Sequence, residues 1–143
     1  MMNSTRSRAV VGAALLTVAF GLFSAGSAQA QSTKMTATIP FGFYTGDTLL
    51  PAGQYEVQTF GNGAMKLYNQ ETRTSILFQT NRVSSLTRSS SPSFIFNRYG
   101  EDYFLSQMWW GDGSDGNALS SPRAERELAK TIEPVRIAVS VRH

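Results

Sequence analysis

Hydrophobic and polar residues alternate along most of the chain after residue 30. Met35, Ala37 and Ile39 share one parity near the start of this region, and residues 135–141 show the clearest alternation near its end. A period of two residues is typical of a β-strand with one buried face and one solvated face. Gly and Pro residues separate the alternating segments and indicate turns. The pattern predicts a mainly β fold of about eight short strands, a small antiparallel β-barrel or sandwich, and we favour a partly closed barrel.

The most aromatic segment, residues 94–110, predicts a β-hairpin on which the other strands pack. Two runs rich in aromatic residues flank a turn at residues 99–102. Strict alternation divides the second run between two faces, with Tyr103, Leu105, Gln107 and Trp109 on one and Phe104, Ser106, Met108 and Trp110 on the other. Since both faces are substantially apolar, we expect this strand to be covered on both sides.

Two segments lack a clear alternation and are predicted to be loops. Residues 81–93 are rich in Ser and contain Pro92, so we expect a long loop or a frayed sheet edge, and the most mobile part of the domain. Residues 111–121, with the sequence GDGSDGNALSS, are expected to form a flexible loop.

The period changes after residue 121, where one helix close to the C-terminus is predicted. Residues 122–130 are strong helix formers with a proline at the first position, and Ser121 precedes them as a cap. Ala124, Leu128 and Ile132 recur every four residues and form a narrow apolar stripe. We expect this stripe to pack the helix across one end or edge of the sheets.

The first 30 residues have the pattern of a cleaved secretory signal peptide. Arg6 and Arg8 precede an apolar run at residues 9–23, and Ala28 and Ala30 form an A-x-A cleavage pattern. The apolar run is shorter than the roughly 20 residues that a spanning helix needs. The sequence therefore predicts an exported protein, periplasmic or extracellular, that does not span a membrane after processing. Residues 31–143 are predicted to form a single β-rich domain.

Composition limits the partners and the source of stability. Removal of the predicted signal peptide lowers the count of Lys and Arg from 13 to 11 against 10 Asp and Glu, so the net charge falls from +3 to +1. The remaining charges are scattered, so no nucleic-acid partner is expected. The chain has no Cys, so its stability must come from burial, to which each aromatic ring contributes roughly 150–250 Å².

Three groups of residues resemble a family of small, uncharacterised, secreted bacterial proteins. They are residues 39–43 (IPFGF) with 50–57 (LPAGQYEV), residues 96–100 (FNRYG) with 103–105 (YFL), and residues 123–129 (RAERELA). The resemblance covers less than half of the predicted mature chain. It implies an exported β-rich domain of unknown activity, and it supplies no catalytic residues.

The residue types needed for most catalytic chemistries are missing or badly placed. His143 is the only histidine and the last residue, and without Cys a nucleophile–histidine arrangement needs that terminus to be docked. Zinc and iron sites favour His and Cys ligands. The acids that could form a catalytic pair are Glu101, Asp102, Glu125 and Glu127, and we interpret them as solvated surface residues. We predict no catalytic residue, no cofactor and no enzymatic activity, and an enzyme is the weakest of three alternatives for the function.

Calcium is the one metal whose ligands the chain could supply in a short segment. Asp112, Ser114, Asp115 and Asn117 lie close together in a Gly-rich segment, and calcium binds oxygen ligands. Their spacing does not match the EF-hand pattern. A calcium site therefore remains an alternative to an ordinary solvated loop, which we prefer.

A cluster of aromatic residues near the hairpin suggests a ligand site. Trp109 and Trp110 are adjacent, so on a strand their rings face opposite ways. Together with Arg98, Tyr99 and Tyr103 they could form a platform for a sugar or another flat ligand. The alternative is that both indole rings are buried by the helix and the neighbouring loop.

The sequence predicts an exported, non-catalytic β-domain with two possible roles. The first is an envelope or extracellular interaction or structural protein, whose partner adds a strand at an edge near residues 81–93. The second is a β-barrel that binds a small lipid, glycan or other hydrophobic ligand. A filled core with an exposed strand edge would favour the first, whereas a roomy and partly polar internal cavity would favour the second.

Overall fold

Two antiparallel sheets and one short helix make up the part of the chain that the computed structural model describes, residues 34–89, 91–111 and 113–142. These residues belong to one compact unit, Gln31–His143. The predicted signal peptide, Asp112 and His143 lie outside the described residues. In chain order the elements are β1 (Met35–Ile39), β2 (Phe43–Thr45), β3 (Thr48–Leu50), β4 (Gly53–Thr59), β5 (Ala64–Asn69), β6 (Thr74–Gln79), β7 (Asn81–Ser89), β8 (Ser93–Tyr99), β9 (Asp102–Trp109), β10 (Gly113–Ala118), α1 (Arg123–Leu128) and β11 (Val135–Ser140).

The strands are divided between two sheets. Sheet A has the order β1-β4-β5-β6, and sheet B has the order β11-β8-β9-β10-β7. The β2–β3 hairpin joins sheet B through a parallel bridge between Tyr44 and Phe104 of β9. The other pairings between named strands are antiparallel. The mainly β fold is therefore confirmed, with eleven strands in the described residues where about eight were predicted.

The arrangement is sandwich-like, and our preference for a partly closed barrel was wrong. An isolated bridge between Thr36 and Arg142 links the sheets along one side. On the other side, β6 and β7 follow each other in the chain, but β6 pairs only with β5 and β7 pairs only with β10 among the described strands. No ladder closes this side because the strand leaves one sheet and enters the other near Thr80.

The core lies between the sheets and is rich in aromatic rings. Its buried residues are Met35, Ala37, Ile39, Phe43, Tyr55, Val57, Met65, Leu67, Phe94, Phe96, Leu105, Met108 and Val141. Phe96 lies at its centre, with ring centroids 5.0 Å from Phe41 and 5.3 Å from Phe43, both edge to face. Phe43 also contacts Tyr55 at 5.2 Å. Phe41 and Phe43, Tyr55 and Phe96 come from three separate segments of the chain and pack against one another here.

The central hairpin is confirmed, but a β-bulge overturns the predicted faces of its second strand. Phe96 pairs with Leu105 and Phe94 pairs with Met108, with a register shift between Ile95 and Phe96. The extra residue in β9 reverses the parity, so both Leu105 and Met108 face the core. Phe104, 2% exposed, is buried on the opposite face. The prediction that this strand is covered on both sides is thus confirmed.

Both predicted loops contain strands. Residues 81–93 were expected to be a loop or a frayed edge, and they include β7, a nine-residue strand at the edge of sheet B. Residues 111–121 were expected to be a flexible loop, and they include β10, which pairs with β9 on one side and β7 on the other. Neither segment has a strong β propensity, so pairing with neighbouring strands decides the conformation.

The predicted helix is present but shorter, and it buries a different face. It spans Arg123–Leu128, its N-cap is Pro122, and no side chain caps it, so the predicted cap at Ser121 was wrong. Ala124 and Ile132 are exposed, whereas Glu125 is the buried residue of the helix. The apolar stripe was therefore the wrong face. Among the described residues, no helix has the length and hydrophobicity needed to cross a bilayer.

Glu125 was also interpreted wrongly as a solvated acid. It is only 3% exposed, and its Oε1 accepts hydrogen bonds from Asn97 Nδ2 at 2.9 Å and from the Tyr99 hydroxyl at 3.2 Å. Asn97 and Tyr99 alternate with the core residue Phe96, so they lie on the outer face of sheet B. Burial of a carboxylate requires such partners, and these two bonds attach α1 to that face.

Candidate functional site

The crossover from sheet A to sheet B is built around a chain of hydrogen bonds. Thr80, 3% exposed, donates both its N–H and its hydroxyl to the Gly63 oxygen, at 2.9 and 2.8 Å. Asn117 Nδ2 donates to Thr80 Oγ1 at 3.0 Å, and Trp110 Nε1 donates to Asn117 Oδ1 at 2.8 Å. The bonds connect the β4–β5 turn, the crossover and β10. We call this region the seam.

The backbone of the seam fits closely at Gly63. This residue has a φ of +77°, in the left-handed region, and a Cβ there would collide with the Thr80 carbonyl oxygen. Only glycine combines that conformation with so close an approach. Gln79 adds a further contact by donating from Nε2 to the Asn62 oxygen at 2.5 Å. The β4–β5 turn is therefore held firmly against the crossover.

A cleft of about 640 Å³ opens at the seam, and we call it the seam cleft. It is lined by Thr59, Gly61, Asn62, Gly63, Ala64, Met65, Gln79, Thr80, Asn81, Arg82, Trp110, Asp115 and Asn117. Most of the lining side chains that bear functional groups are amides and hydroxyls. Arg82 and Asp115 are the only charged residues among them, so their formal charges cancel.

The strand that borders the seam cleft, β7, also has a free side, which can be located from the pairing of β10. Leu119 donates its N–H to the Ser106 oxygen at 2.9 Å, so its main-chain groups point toward β9. Alternate residues of a strand direct these groups to opposite sides. Ala118 and Gly116 therefore direct theirs toward β7, where their register partners are Asn81 and Val83.

Arg82 and Ser84 alternate with those paired residues, so their N–H and C=O groups point away from β10. Thr80 has the same parity and uses this side to bind Gly63, next to the start of β5. Beyond Gly63, no described strand pairs with β7 on this side. We call the main-chain groups of Arg82 and Ser84 the free edge. A strand bound there would continue the line of β5.

The five residues predicted as a ligand platform do not come together. Arg98 and Tyr103 are cross-strand partners at one end of sheet B, where the Tyr103 ring stacks on Phe41 at 3.8 Å. Tyr99 lies on the opposite face beside Glu125. Trp109 and Trp110 lie at the far end of β9, six residues away, which is roughly 20 Å along a strand. Distance and alternation therefore separate the predicted site into three places.

The two tryptophans also have different surroundings. The Trp109 ring lies over Gly116 of β10, and its Nε1 donates to Gln107 Oε1 at 3.2 Å. Trp110 lines the seam cleft, with its Nε1 bonded to Asn117. Both indoles are half-buried. Of the five residues predicted as the ligand platform, only Trp110 belongs to the seam.

Of the residues considered for a calcium site, Asp115 and Asn117 lie on β10 and both line the seam cleft. Asp112 lies outside the described residues, and Asp115 is exposed at the seam cleft. Asn117 uses its oxygen for Trp110 and its nitrogen for Thr80. Within the described part of the chain, no group of three or more His, Cys, Asp or Glu side chains could hold a metal ion.

Tyr99 is the predicted site residue whose ionisation is perturbed. Its burial, and then the nearby Glu125 carboxylate and their hydrogen bond, raise the pKa of Tyr99 above its ordinary value of 10.0. Burial also raises the pKa of Tyr55. The fold therefore favours the protonated, neutral form of each tyrosine.

Raising the pH from about 9 to about 11 is expected to destabilise the fold, in part through Tyr99. Because the folded-state pKa is raised, its contribution to stability is complete below about pH 10 and is lost as the pH rises through the folded-state pKa. In the Tyr99→Phe variant we expect a smaller fall in the midpoint of urea unfolding between these pH values. If the unfolding midpoint of Tyr99→Phe fell as far as that of the wild type, Tyr99 would not contribute to the pH dependence of stability.

The sequence analysis singled out Trp110 and Asn117, but it did not identify the crossover at Thr80 or its contact with Gly63. One signal was present, since no Gly or Pro occurs between Thr74 and Ser91, and nothing in that segment indicates where a strand should end. A long strand shared by two sheets is consistent with such a run. Thr80 and Gly63 are 17 residues apart in the chain, and no local pattern predicts their contact.

Comparisons with protein-family models, with curated proteins and with solved structures found no match for this chain. The function is therefore inferred from the geometry of the seam and of β7, the strand that borders it.

Proposed function

We propose that this chain is an exported, non-catalytic interaction domain that binds an extended segment of another envelope or extracellular protein by strand addition at β7. The observation that carries the proposal is the free edge. Its N–H and C=O groups form an unoccupied ladder among the described strands, and a ladder is completed by an extended polypeptide.

The composition of β7 supports this role. Natural proteins usually protect a sheet edge with Lys, Pro, bulges or a very short strand. β7 has nine residues and no lysine or proline; its segment from Val83 to Thr87 is uncharged, although Arg82 precedes it and the register with β10 shifts between Ser84 and Ser89. Leu86, in the same segment, is fully exposed. Such an edge invites pairing unless a partner covers it.

The core argues against a role as a barrel that encloses a small ligand. Thirteen buried residues fill the space between the sheets, and their side chains interdigitate through close aromatic contacts. The cleft that we describe opens at the rim of the sandwich and not in its interior. A filled core with an exposed strand edge is the combination that favours a protein partner.

The test compares two substitutions at Ser84 in affinity capture from an envelope extract. Proline removes the N–H that points away from β10, so Ser84→Pro blocks the free edge and leaves the pairing with β10 intact. Ser84→Ala is the matched control, since it changes the side chain and keeps the main-chain donor. We expect Ser84→Pro to weaken capture of the partner by at least about ten-fold and Ser84→Ala to leave it unchanged.

Hydrogen exchange identifies the contact directly. With the captured partner bound, the amides of Arg82 and Ser84 should become protected, whereas those of Asn81 and Val83, paired with β10, should be protected already. Equal capture by both Ser84 variants, or a partner that leaves Arg82 and Ser84 unprotected, would refute strand addition. Self-association of the purified chain, abolished by Ser84→Pro, would instead assign the edge to a second copy.

A further inference from the structure

We infer that the seam cleft is a binding site for a neutral saccharide, a function separate from strand addition. Its volume of about 640 Å³ falls within the roughly 300–1,000 Å³ of small-ligand sites. It is open at the rim of the sandwich, so part of a longer chain of sugars could enter it. The ligand class follows from the groups that line the cleft and from which of them are already hydrogen-bonded within the protein.

The polar groups left free in the seam cleft suit hydroxyl ligands. The side chains of Asn62 and Asn81 are exposed and make no hydrogen bond to other described residues. Each amide supplies two donors and an acceptor, Arg82 supplies several donors, and Asp115 supplies acceptors. A sugar hydroxyl both donates and accepts, so it matches this mixture better than a ligand that only accepts does.

Trp110 contributes an apolar surface to the same cleft. Its only polar atom, Nε1, is already bonded to Asn117 at 2.8 Å, so the indole can offer a ligand its ring and not its donor. The same bond, continued through Thr80 to Gly63, holds the ring in place before a ligand arrives. A fixed aromatic ring beside amides is suited to a pyranose, which has an apolar C–H face and a polar rim.

The charges of the cleft argue against other ligand classes. Arg82 and Asp115 cancel, so a phosphate or a nucleotide would meet no net positive charge. A lipid chain needs a mainly apolar lining, and the amides and hydroxyls here do not provide it. One carboxylate is too few for a metal ion. A neutral oligosaccharide is the class that the lining fits.

The experiment follows the indole N–H signals of the purified full-length chain by NMR. The chain has two tryptophans, and Trp109→Phe and Trp110→Phe identify their two signals. The probes are cellotriose, maltotriose, chitotriose and mannotriose, each added to about 10 mM, which detects a Kd near 1 mM. We expect at least one probe to shift the Trp110 signal to saturation and to leave the Trp109 signal unmoved.

Variants distinguish binding in the cleft from adhesion elsewhere. Asp115→Ala, followed by the Trp110 signal, and Trp110→Phe, followed by isothermal titration calorimetry because it lacks that signal, should each weaken binding by about ten-fold. The exposed position of Asp115 keeps its variant folded. Trp109→Phe and Ser84→Pro should bind as the wild type does, which separates this site from the free edge. No shift with any of the four probes, equal shifts of both indoles, unchanged affinity in Asp115→Ala, or tighter binding of inorganic phosphate would each overturn the inference.

Discussion

Replacing Phe96 by Ala is expected to lower the free energy of unfolding by about 3–5 kcal/mol. Phe96 is fully buried in β8, the strand between β9 and β11, and its ring contacts both Phe41 and Phe43. The substitution removes the contacts of the ring and leaves a cavity that stiff neighbouring strands cannot close. A domain of this size has about 5–15 kcal/mol of stability in total, so the variant should be largely unfolded at moderate urea concentrations.

Phe60→Ala is the matched control for this prediction. Phe60 is 53% exposed just after β4, and Lys66 Nζ lies 5.8 Å from the centroid of its ring. Loss of the Phe60 ring should lower the free energy of unfolding by less than about 1 kcal/mol. Urea unfolding followed by far-ultraviolet circular dichroism measures both variants. If both substitutions lowered the free energy of unfolding by similar amounts, Phe96 would not lie at the centre of the core.

Replacing Gly116 by Val is expected to destabilise the fold by about 3 kcal/mol, the upper end of the range for overpacking. A Cβ at Gly116 would lie 2.7 Å from Trp109 Cε3 and 2.8 Å from the Met108 carbonyl oxygen. One of these atoms is backbone, so the strand pairing between β10 and β9 must shift. On strand propensity alone, this substitution would raise the free energy of unfolding by about 1 kcal/mol. A measured loss of stability would show that steric overlap outweighs propensity, and a measured gain would show the opposite.

Gly42→Ala is the corresponding control among the glycines. A Cβ at Gly42 meets only the Leu50 oxygen, at an ordinary 3.5 Å, and its φ lies outside the left-handed region. We expect its stability to be unchanged or raised by up to about 1 kcal/mol, because Ala restricts the unfolded chain. Thermal unfolding of both variants, followed by tryptophan fluorescence, tests the pair. A Gly116→Val protein as stable as the wild type would mean that residues 113–118 are not held as a strand.

The sequence predicted the strands that carry their own alternation. The β8–β9 hairpin, β1 and β11 were located because Phe94, Phe96 and their counterparts recur at every second position. Gly100, with a φ of +64°, supplies the turn that joins β8 and β9. Elements of this kind are specified locally, so a single sequence is enough to find them.

The candidate site was not predictable in the same way. Trp110 was predicted to be a ligand residue, but its partners in the seam cleft come from three distant segments represented by Gly63, Thr80 and Asn117. The bulge in β9 also changed which residues face the core, and Glu125 rather than Leu128 proved to be the buried residue of α1. In each case a tertiary contact overrode the local pattern.

What the sequence determined by itself is the class of the fold, because alternation and turn residues act over a few positions and need no distant partner. What only the tertiary structure decided is the conformation of residues 81–89 and 113–118, the closure of the seam and the position of the free edge. These segments have weak propensities of their own. They become strands because each satisfies its backbone hydrogen bonds on a neighbouring strand, and which neighbour that is depends on the packing of the whole domain.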